Sequence, residues 1–354
     1  MEKFRRIGVL TSGGDAPDMN AAVRAVVRTA LDKGVEVVGI YGGYRGMIDD
    51  DMKVLSSRDV SNIINRGGTF LYSARCDEFR YEEGMQKAIA NCRKHGIDGV
   101  IAIGGDGTFR GATDLSNRGL PTIGIPGSID NDVTASDYSI GFDTAMNTVI
   151  EMCDRLRDTC ESHTRCNVVE VMGRGAGDIA LNTAIASGAT AVVIPEFDFD
   201  EEALFEKIRM SRKLGKRNFI VIVSEGVGSD YAPAIAKKIE ENTGVETKFA
   251  RFAHIVRGGS PNLRDRVLAT TMGAYAVDKL LAGESNIVIC ERRGEIVAND
   301  ISYALMLDRM YKGKLKDGDL DNFDEASVQR MKAECEERRA KMEAKYNTEK
   351  RISL

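Results

Sequence analysis

The sequence has little of several residue types that mark particular classes of protein. It contains no tryptophan, 6 prolines and 3 histidines. Its apolar runs fall well short of the roughly 20 residues that a membrane-spanning helix needs. The run that follows Arg6 is only about four residues long, too short for a signal-peptide core. We therefore expect a cytoplasmic protein that does not cross a membrane.

The cysteines and the charge balance exclude further classes. The 7 cysteines are scattered without a CxxC pair, which indicates reduced thiols, and 3 histidines give no readable zinc site. Lys and Arg number 49 against 54 Asp and Glu, so the net charge is −5. Such a chain has no overall attraction to nucleic acid or to anionic membranes, and we expect it to bind neither.

Glycine, in contrast, is abundant, with 36 residues in a chain of 354. Short, continuous apolar runs that end in glycine-rich or acidic turns recur along the sequence. These runs cover residues 7–10, 35–40, 99–103, 122–125, 168–172, 191–194 and 219–223. Continuous rather than alternating runs are typical of strands buried on both faces of a parallel sheet. The pattern predicts an α/β fold with two lobes of largely parallel sheet flanked by helices, bridged by a helix near residues 140–160.

The C-terminal tail has a different composition, with many charges of both signs. An apolar stripe at helical spacing consists of Val328, Met331, Cys335, Met342 and Tyr346. Asn322 with Glu325 is predicted to form a capping box at the start of this helix. We expect a surface helix packed on the body of the protein, with a regulatory or oligomer-contacting arm as the alternative.

Two loops carry the Gly-Gly-Asp pattern directly after an apolar run. Gly104–Thr108, followed by Gly111, is the stronger of the two, because consecutive glycines let backbone N–H groups surround phosphate oxygens. Asp106 between glycines suits Mg²⁺ held mostly through water. Ser12–Asp15 has the same form. In parallel sheets such loops gather at the carboxyl ends of the strands, so both are predicted to face one polyphosphate.

The segment after the run at 122–125 offers carboxylates for catalysis. Asp130 and Asp132 are two residues apart, and next to phosphate loops they suggest a general base and a metal-side carboxylate. An Asx-rich turn is the structural alternative. Five cations lie near strand ends or glycine turns and are candidates for phosphate contacts: Arg75, Arg165, Arg174, Lys248 and Arg257. These residues indicate phosphoryl transfer with Mg²⁺ and do not by themselves name the acceptor.

Together the segments resemble the phosphofructokinase family from about Ile7 to about Asp308. The motifs TSGGDAP, NRGGTFLYSAR, IGGDGT, PGSIDND, VVEVMGRGAGD and HIVRGGSP occur in the family's order and spacing. The resemblance implies transfer of the γ-phosphoryl of ATP to the 1-hydroxyl of fructose 6-phosphate. It also implies Mg²⁺ as cofactor and a homotetramer with shared active sites. A GGDGT motif alone also occurs in NAD kinases and diacylglycerol kinases, which lack the rest.

The resemblance assigns roles residue by residue. Asp130 would be the base, Asp132 would orient the metal and the base, and Asp106 would bind Mg²⁺. Arg75, Arg174 and Gly14 would complete the catalytic centre around the transferring phosphoryl. The ATP site would comprise Gly14, Tyr44, Arg75, Cys76, Phe79, Arg80, Gly105, Asp106, Gly107, Thr108 and Gly111. The sugar-phosphate site would comprise Ser128, Ile129, Asp130, Arg165, Met172, Gly173, Arg174, Glu225, Lys248, His254, Ile255, Val256 and Arg257. Of these, Arg165 and Lys248 would reach in from a neighbouring subunit.

The family pattern also implies domain bounds and a phosphoryl donor. The large ATP-binding lobe would span residues 1–141 and 256–306, the small sugar-phosphate lobe 142–255, and the helical tail 307–354, packed on the small lobe. Pyrophosphate-using relatives tend to have Asp at the position of Gly107 and Lys at that of Gly127, so the two glycines favour ATP. A pyrophosphate-dependent enzyme and a non-catalytic nucleotide sensor remain the alternatives.

Several positions depart from the family pattern. Asp18 is expected to add a negative charge near the phosphate-facing loop, and Lys248 replaces a usual Arg. Four cations match the family's effector site: Arg24, Arg28, Arg157 and Lys216. Thr190 stands where that site commonly has a Glu metal ligand, and Ser57 where it has an Arg. We therefore expect allosteric regulation through an effector site that departs from the family pattern at Thr190 and Ser57.

Overall fold

The computed structural model of the chain describes residues 4–353. Within them, strands and α-helices alternate along most of the sequence. The strands are β1 (Arg6–Thr11), β2 (Glu36–Ile40), β3 (Met52–Leu55), β4 (Gly99–Gly104), β5 (Thr122–Pro126), β6 (Cys166–Val171), β7 (Ala191–Val193), β8 (Phe219–Ser224), β9 (Thr247–Arg251), β10 (Ile287–Arg292) and β11 (Glu295–Asp300). The α-helices are α1 (Met19–Asp32), α2 (Tyr44–Asp49), α3 (Glu82–Lys94), α4 (Asp106–Asn117), α5 (Phe142–His163), α6 (Asp178–Ser187), α7 (Glu201–Lys213), α8 (Tyr231–Thr243), α9 (Leu263–Leu281), α10 (Ile301–Tyr311) and α11 (Glu325–Ile352).

The chain forms two compact units. Unit 1 comprises the described residues up to Ile129, together with Val133–Thr144 and Arg257–Lys332. Unit 2 comprises Asp130–Asp132, Ala145–Val256 and the described residues from Ala333 onward. The predicted bridging helix is α5, and the chain passes from unit 1 to unit 2 within its first turn.

Unit 1 contains a seven-stranded sheet in the order β11-β10-β5-β4-β1-β2-β3. Its five central strands run parallel, and the edge strands β3 and β11 are antiparallel to their neighbours. Every residue of β4 is buried, because helices cover both faces of this central strand. One face packs Val38, Val100 and Ala102 against Met47 of α2 and Ile89 of α3.

Unit 2 contains a four-stranded, fully parallel sheet in the order β7-β8-β6-β9. Its core joins Val168 of β6 and Val221 of β8 to Phe205 of α7 and Ile239 of α8. Both β6 and β8 are buried along their whole length, as the continuous apolar runs predict. The α/β fold with largely parallel sheets is thus confirmed.

Four of the strands were not predicted from the sequence. β3 (MKVL) and β11 lie at sheet edges, and β9 (TKFAR) mixes polar with apolar residues. These strands are only partly buried, so they lack the continuous apolar run that marks a central strand. β10 is mostly buried, but its run IVICER ends in charged residues instead of a glycine turn.

The tail forms the predicted helix, α11, with one correction at its start. The helix begins at Glu325, and the Asp324 carboxylate caps it by accepting a hydrogen bond from the Ser327 N–H (2.7 Å). Asn322 is therefore not the capping residue. Met331, Cys335, Met342 and Tyr346 of the predicted stripe are buried.

In the described part of the chain, no helix combines the length and apolar character needed to span a membrane. All 7 cysteines are free thiols, and 6 of them are buried.

Candidate active site

Three predicted phosphate-side loops lie at one edge of the sheet of unit 1. They follow β1, β4 and β5, which are neighbours in the sheet and run parallel. Thr11 pairs with Ile103, and Gly104 pairs with Pro126, so the three strands end almost level. The topology therefore brings the Ser12–Asp15, Gly104–Thr108 and Pro126–Ile129 segments together, as the carboxyl-edge argument predicts.

Hydrogen bonds fix these loops to one another. The Ser12 N–H donates to the Ile103 carbonyl (2.9 Å), and the Thr108 hydroxyl donates to the Ser12 carbonyl (3.1 Å). The Gly127 N–H donates to the Gly104 carbonyl (3.0 Å). Thr108 is buried, so its role is to hold the two Gly-Gly-Asp loops in register.

The two glycines that flank Asp106 have open space where a side chain would stand. A Cβ built at Gly105 or Gly107 would meet nothing within 4 Å, and neither residue has a positive φ. Packing and backbone conformation therefore do not require glycine at either position. The approach of a ligand to the N-terminus of α4, where backbone N–H groups point outward, does explain both.

Asp106 is the first residue of α4 and the one carboxylate of this loop. Its side chain is 32% exposed and pairs with Arg110 one turn later (Oδ2 to Nη2, 2.9 Å). No group of three metal-ligating side chains occurs among residues 4–353. A single accessible carboxylate fits Mg²⁺, which keeps several waters and takes further oxygens from substrate phosphates.

Tyr44 and Phe79 lie behind α4 and are both buried. Their rings stack with centroids 4.2 Å apart, and the Tyr44 hydroxyl donates to the Thr108 carbonyl (2.5 Å). Burial raises the pKa of Tyr44, which keeps the phenol neutral as a donor. A Cβ at Gly111 would lie 2.6 Å from the Tyr44 ring, so glycine is needed there for packing. Cys76 is half-buried and packs against the same cluster.

Arg75 and Arg80 are exposed on the segment between β3 and α3. Hydrogen bonds tie this segment to the end of β1. The Thr11 hydroxyl donates to the Tyr72 carbonyl (2.8 Å), and the Ser73 hydroxyl donates to the Gly13 carbonyl (2.6 Å). Arg75 is therefore two residues along the chain from Ser73, which contacts the loop after β1 at Gly13. Arg80 pairs with Asp77 (3.6 Å).

Arg257 also belongs to this group. Its guanidinium lies 3.4 Å from the position that a Cβ would take at Gly14 and 3.8 Å from the Asp15 carboxylate. The turn that follows Arg257 packs closely on the loop that carries Gly67. A Cβ at Gly67 would lie 2.2 Å from the Gly259 carbonyl oxygen, so this close approach requires glycine. Ser128 and Ile129 continue from β5 at the same edge.

Unit 2 holds a second group of predicted residues at the carboxyl edge of its own sheet. Arg174, in the loop after β6, lies 3.7 Å from the Asp132 carboxylate, whose side chain is 9% exposed. Glu225, directly after β8, accepts hydrogen bonds from the N–H groups of Gly173 (3.2 Å) and Arg174 (2.7 Å). Arg174 has a left-handed backbone (φ +57°), and Glu225 stabilises this turn.

The remaining predicted residues of unit 2 divide between its two sheet edges. Met172 is buried and follows β6 at the carboxyl edge, and the turn with His254, Ile255 and Val256 follows β9 at the same edge.

Arg165 precedes β6, and Lys248 pairs with Asn167 in the first half of β9, so both lie toward the amino edge. They share Glu246, at 2.6 Å from Arg165 and 2.9 Å from Lys248. These bonds lower the pKa of Glu246 to about 2.

Asp18 differs from its prediction. It is not a negative charge beside the phosphate loop, because it is fully buried at the start of α1. Burial and the neighbouring Asp265 carboxyl raise the pKa of Asp18 to about 9, which favours its protonated, uncharged form near neutral pH. The Thr144 hydroxyl lies 2.7 Å from Asp265 and 3.3 Å from Asp18.

Two of the residues matched to the effector site, Arg157 and Thr190, form hydrogen bonds within the protein. Arg157 donates to the Ser187 carbonyl and to Asn218 (2.9 Å). Lys207 donates to the carbonyl of buried Thr190 (2.7 Å) and to the hydroxyl of Ser353 (2.5 Å). Arg110 and Glu246, the ion-pair partners described above, are not among the residues predicted from the sequence. Arg110 carried a signal, because it stands four residues after Asp106 at the start of a helix.

Known proteins are similar to this chain over most of its length. The family model described as Phosphofructokinase matches residues 6–280. The ATP-dependent 6-phosphofructokinase of Bacillus pumilus is 52% identical over 298 residues, which cover 84% of this chain and 93% of the relative. That of Halalkalibacterium halodurans is 50% identical over 302 residues, covering 85% and 94%.

A solved structure agrees with the sequence relatives. The phosphofructokinase of Saccharomyces cerevisiae superposes with a TM-score of 0.83 at 34% identity. The match covers 90% of this chain and 47% of that chain, so this protein spans about half the length of the yeast chain. Because the family model covers most of the chain and the bacterial relatives are at least 50% identical to it over the matched residues, this chain belongs to the phosphofructokinase family.

Proposed function

We propose that this protein transfers the γ-phosphoryl of ATP to the 1-hydroxyl of fructose 6-phosphate, the first committed phosphorylation of a glycolytic hexose phosphate. The observation that carries the proposal is the loop after β4, in which Asp106 stands between two glycines whose side-chain positions are open. Such a loop at a helix N-terminus is built to admit a polyphosphate. The bacterial relatives named above supply the expected donor and acceptor.

In this mechanism Asp130 takes the proton of the sugar 1-hydroxyl as the oxygen attacks the γ-phosphorus. The bond from phosphorus to the β,γ-bridging oxygen then breaks, and ADP leaves. Arg75 and Arg174 stabilise the negative charge on the transferring group. Asp132, paired with Arg174 at 3.7 Å, keeps that side chain near the base.

Asp106 would hold Mg²⁺, and Asp132 would help to orient it. When bound, the metal neutralises charge on the donor phosphates. In unit 1, Gly105 and Gly107 would admit the nucleotide phosphates, while buried Thr108 and the stacked pair of Tyr44 and Phe79 would support their loop. In unit 2, Met172, Gly173, Glu225 and His254 would bind the sugar phosphate. These assignments make unit 1 the ATP-binding lobe and unit 2 the sugar-phosphate lobe.

Arg165 and Lys248 serve the active site of a neighbouring subunit in a homotetramer. The position of the pair in its own sheet supports this role. Arg165 is at the amino end of β6, whereas Gly173 and Arg174 follow its carboxyl end. Six strand residues at about 3.3 Å each separate the two ends by about 20 Å. A sugar phosphate bound beside Gly173 and Arg174 would therefore lie at the opposite end of the sheet from Arg165 and Lys248, which supports a role for this pair in a different site.

Steady-state turnover with fructose 6-phosphate tests the proposal, with Mg²⁺ present and ATP and pyrophosphate compared as donors. We expect turnover with ATP alone. Turnover with pyrophosphate alone would contradict the donor argument from Gly107 and Gly127. ATP binding without turnover on any sugar phosphate would instead identify a non-catalytic nucleotide sensor.

A further inference from the structure

We infer that Arg338 of the C-terminal helix is a positioning residue for the catalytic loop. Its guanidinium donates a hydrogen bond to the backbone carbonyl of Asn131 (2.8 Å), the residue between Asp130 and Asp132. The inference rests on the proposed function, in which those two carboxylates act on the substrate. Arg338 lies in α11, well beyond residues 6–280 that the family model matches.

The backbone at Asn131 explains why the contact matters. Asn131 is buried and has a left-handed conformation (φ +51°), which non-glycine residues adopt only at a cost. A charged donor on its carbonyl stabilises this conformation more than a neutral one would. Because Asn131 adjoins both carboxylates, its conformation sets the directions in which Asp130 and Asp132 leave the chain.

Arg338 itself is held by a second element of the same unit. It lies 3.7 Å from Asp178, the first residue of α6, and its side chain is 17% exposed. The half-buried Glu196 carboxyl, which accepts a hydrogen bond from the Gly177 N–H (2.8 Å), also lies within reach of its positive charge. The arginine thus ties the catalytic loop to the start of α6, where the loop that carries Arg174 ends.

Neighbouring contacts keep α11 in place without touching the catalytic loop. Tyr346 stacks on Phe197 with centroids 4.5 Å apart, and Lys345 donates to the Asn182 side chain of α6 (2.9 Å). Lys345 therefore provides a matched control. It is a cation on the same helix, two turns away, and its partner also belongs to α6.

The test compares Arg338→Met with Lys345→Met. Methionine keeps an unbranched stem and a high helix propensity, so each variant loses one charge and its donors with little change in packing. We expect R338M to lower kcat by about tenfold to a hundredfold, since small displacements of catalytic groups cost that much, with KM for ATP unchanged. K345M should keep the wild-type kcat. Arg338→Lys, which restores a charged donor, should recover part of the loss. Arg338→Gln, which also removes the charge, substitutes for R338M if that variant does not fold.

Hydrogen exchange separates this inference from the proposed function. Amides of residues 128–136 should exchange faster in R338M than in K345M or the wild type, whether or not the substrate is known. Equal exchange and equal kcat in R338M and K345M would overturn the positioning role. If the wild type itself shows no turnover, the proposed function fails, while the exchange data still decide whether Arg338 holds the loop.

Discussion

Asp130 is the side chain on which the proposed chemistry depends. Asp130→Asn keeps the size of the side chain and removes its ability to accept a proton. We expect kcat to fall by about 10²- to 10⁴-fold, the usual contribution of a general base, with equilibrium binding of ATP unchanged. Asp32→Asn, the same change at an exposed position, is the control. Turnover in D130N near the wild-type rate would refute the assignment of the base.

Asp18 makes a second prediction for single side chains, on stability against pH. Its pKa is raised in the folded protein by burial and by Asp265. The folded state therefore binds a proton that the unfolded state releases above the ordinary carboxyl range, so this group lowers stability as pH rises through neutrality. Asp18→Asn removes the effect.

Chemical unfolding at several pH values measures this effect. The free energy of unfolding of D18N minus that of the wild type should increase with pH, by up to about 1.4 kcal/mol for each pH unit in that window. D32N should run parallel to the wild type. A constant difference between D18N and the wild type across neutral pH would show that Asp18 is ionised in the fold.

At the scale of one element, helix α4 contains two glycines, Gly107 and Gly111, whose lack of a side chain serves different purposes. Gly107 faces open space, whereas a Cβ at Gly111 would meet the Tyr44 ring at 2.6 Å. Gly107→Asp should therefore fold normally, since an acid in the first turn of a helix is favourable. Its carboxylate would repel the nucleotide phosphates, and we expect at least a tenfold higher KM for ATP.

Gly111→Ala should show the opposite pattern. We expect a loss of about 1–3 kcal/mol in the free energy of unfolding, because the added methyl displaces the stacked Tyr44 and Phe79. Thermal unfolding and the KM for ATP, measured on both variants, test the distinction. A destabilised G107D with unchanged KM would mean that Gly107 serves packing after all.

For the whole molecule, the placement of Arg165 at the sheet edge opposite Arg174 predicts that active sites are shared between subunits. D130N and Arg165→Ala should each be nearly inactive alone. When the two are unfolded together, mixed in equal amounts and refolded, about a quarter of the sites should combine an intact Asp130 from one chain with an intact Arg165 from another. Activity should therefore return in the mixture.

The control mixes D130N with Asp132→Asn, whose defect lies on the same side of the site and should not be complemented. If each chain built its site from its own Arg165, neither mixture would regain activity. Sedimentation of the wild type then gives the number of subunits, for which we expect four.

The sequence by itself determined the central strands, since a strand buried on both faces must be apolar along its whole length. It also determined the loops after β1, β4 and β5, because Gly-Gly-Asp and paired carboxylates after such runs have few structural explanations. Edge strands such as β3 and β11 stayed hidden, because half-exposed strands need no continuous apolar run.

The tertiary structure decided what depends on contacts between distant residues. The sequence pattern predicts an added charge at Asp18, whereas burial beside Asp265 raises its pKa and favours the uncharged form. Arg338 is one cation among many in a charged helix, and only the fold places it 2.8 Å from the Asn131 carbonyl. Local patterns record which residues are apolar or flexible, whereas ionisation and hydrogen bonding depend on neighbours that the chain brings together from more than 200 positions apart.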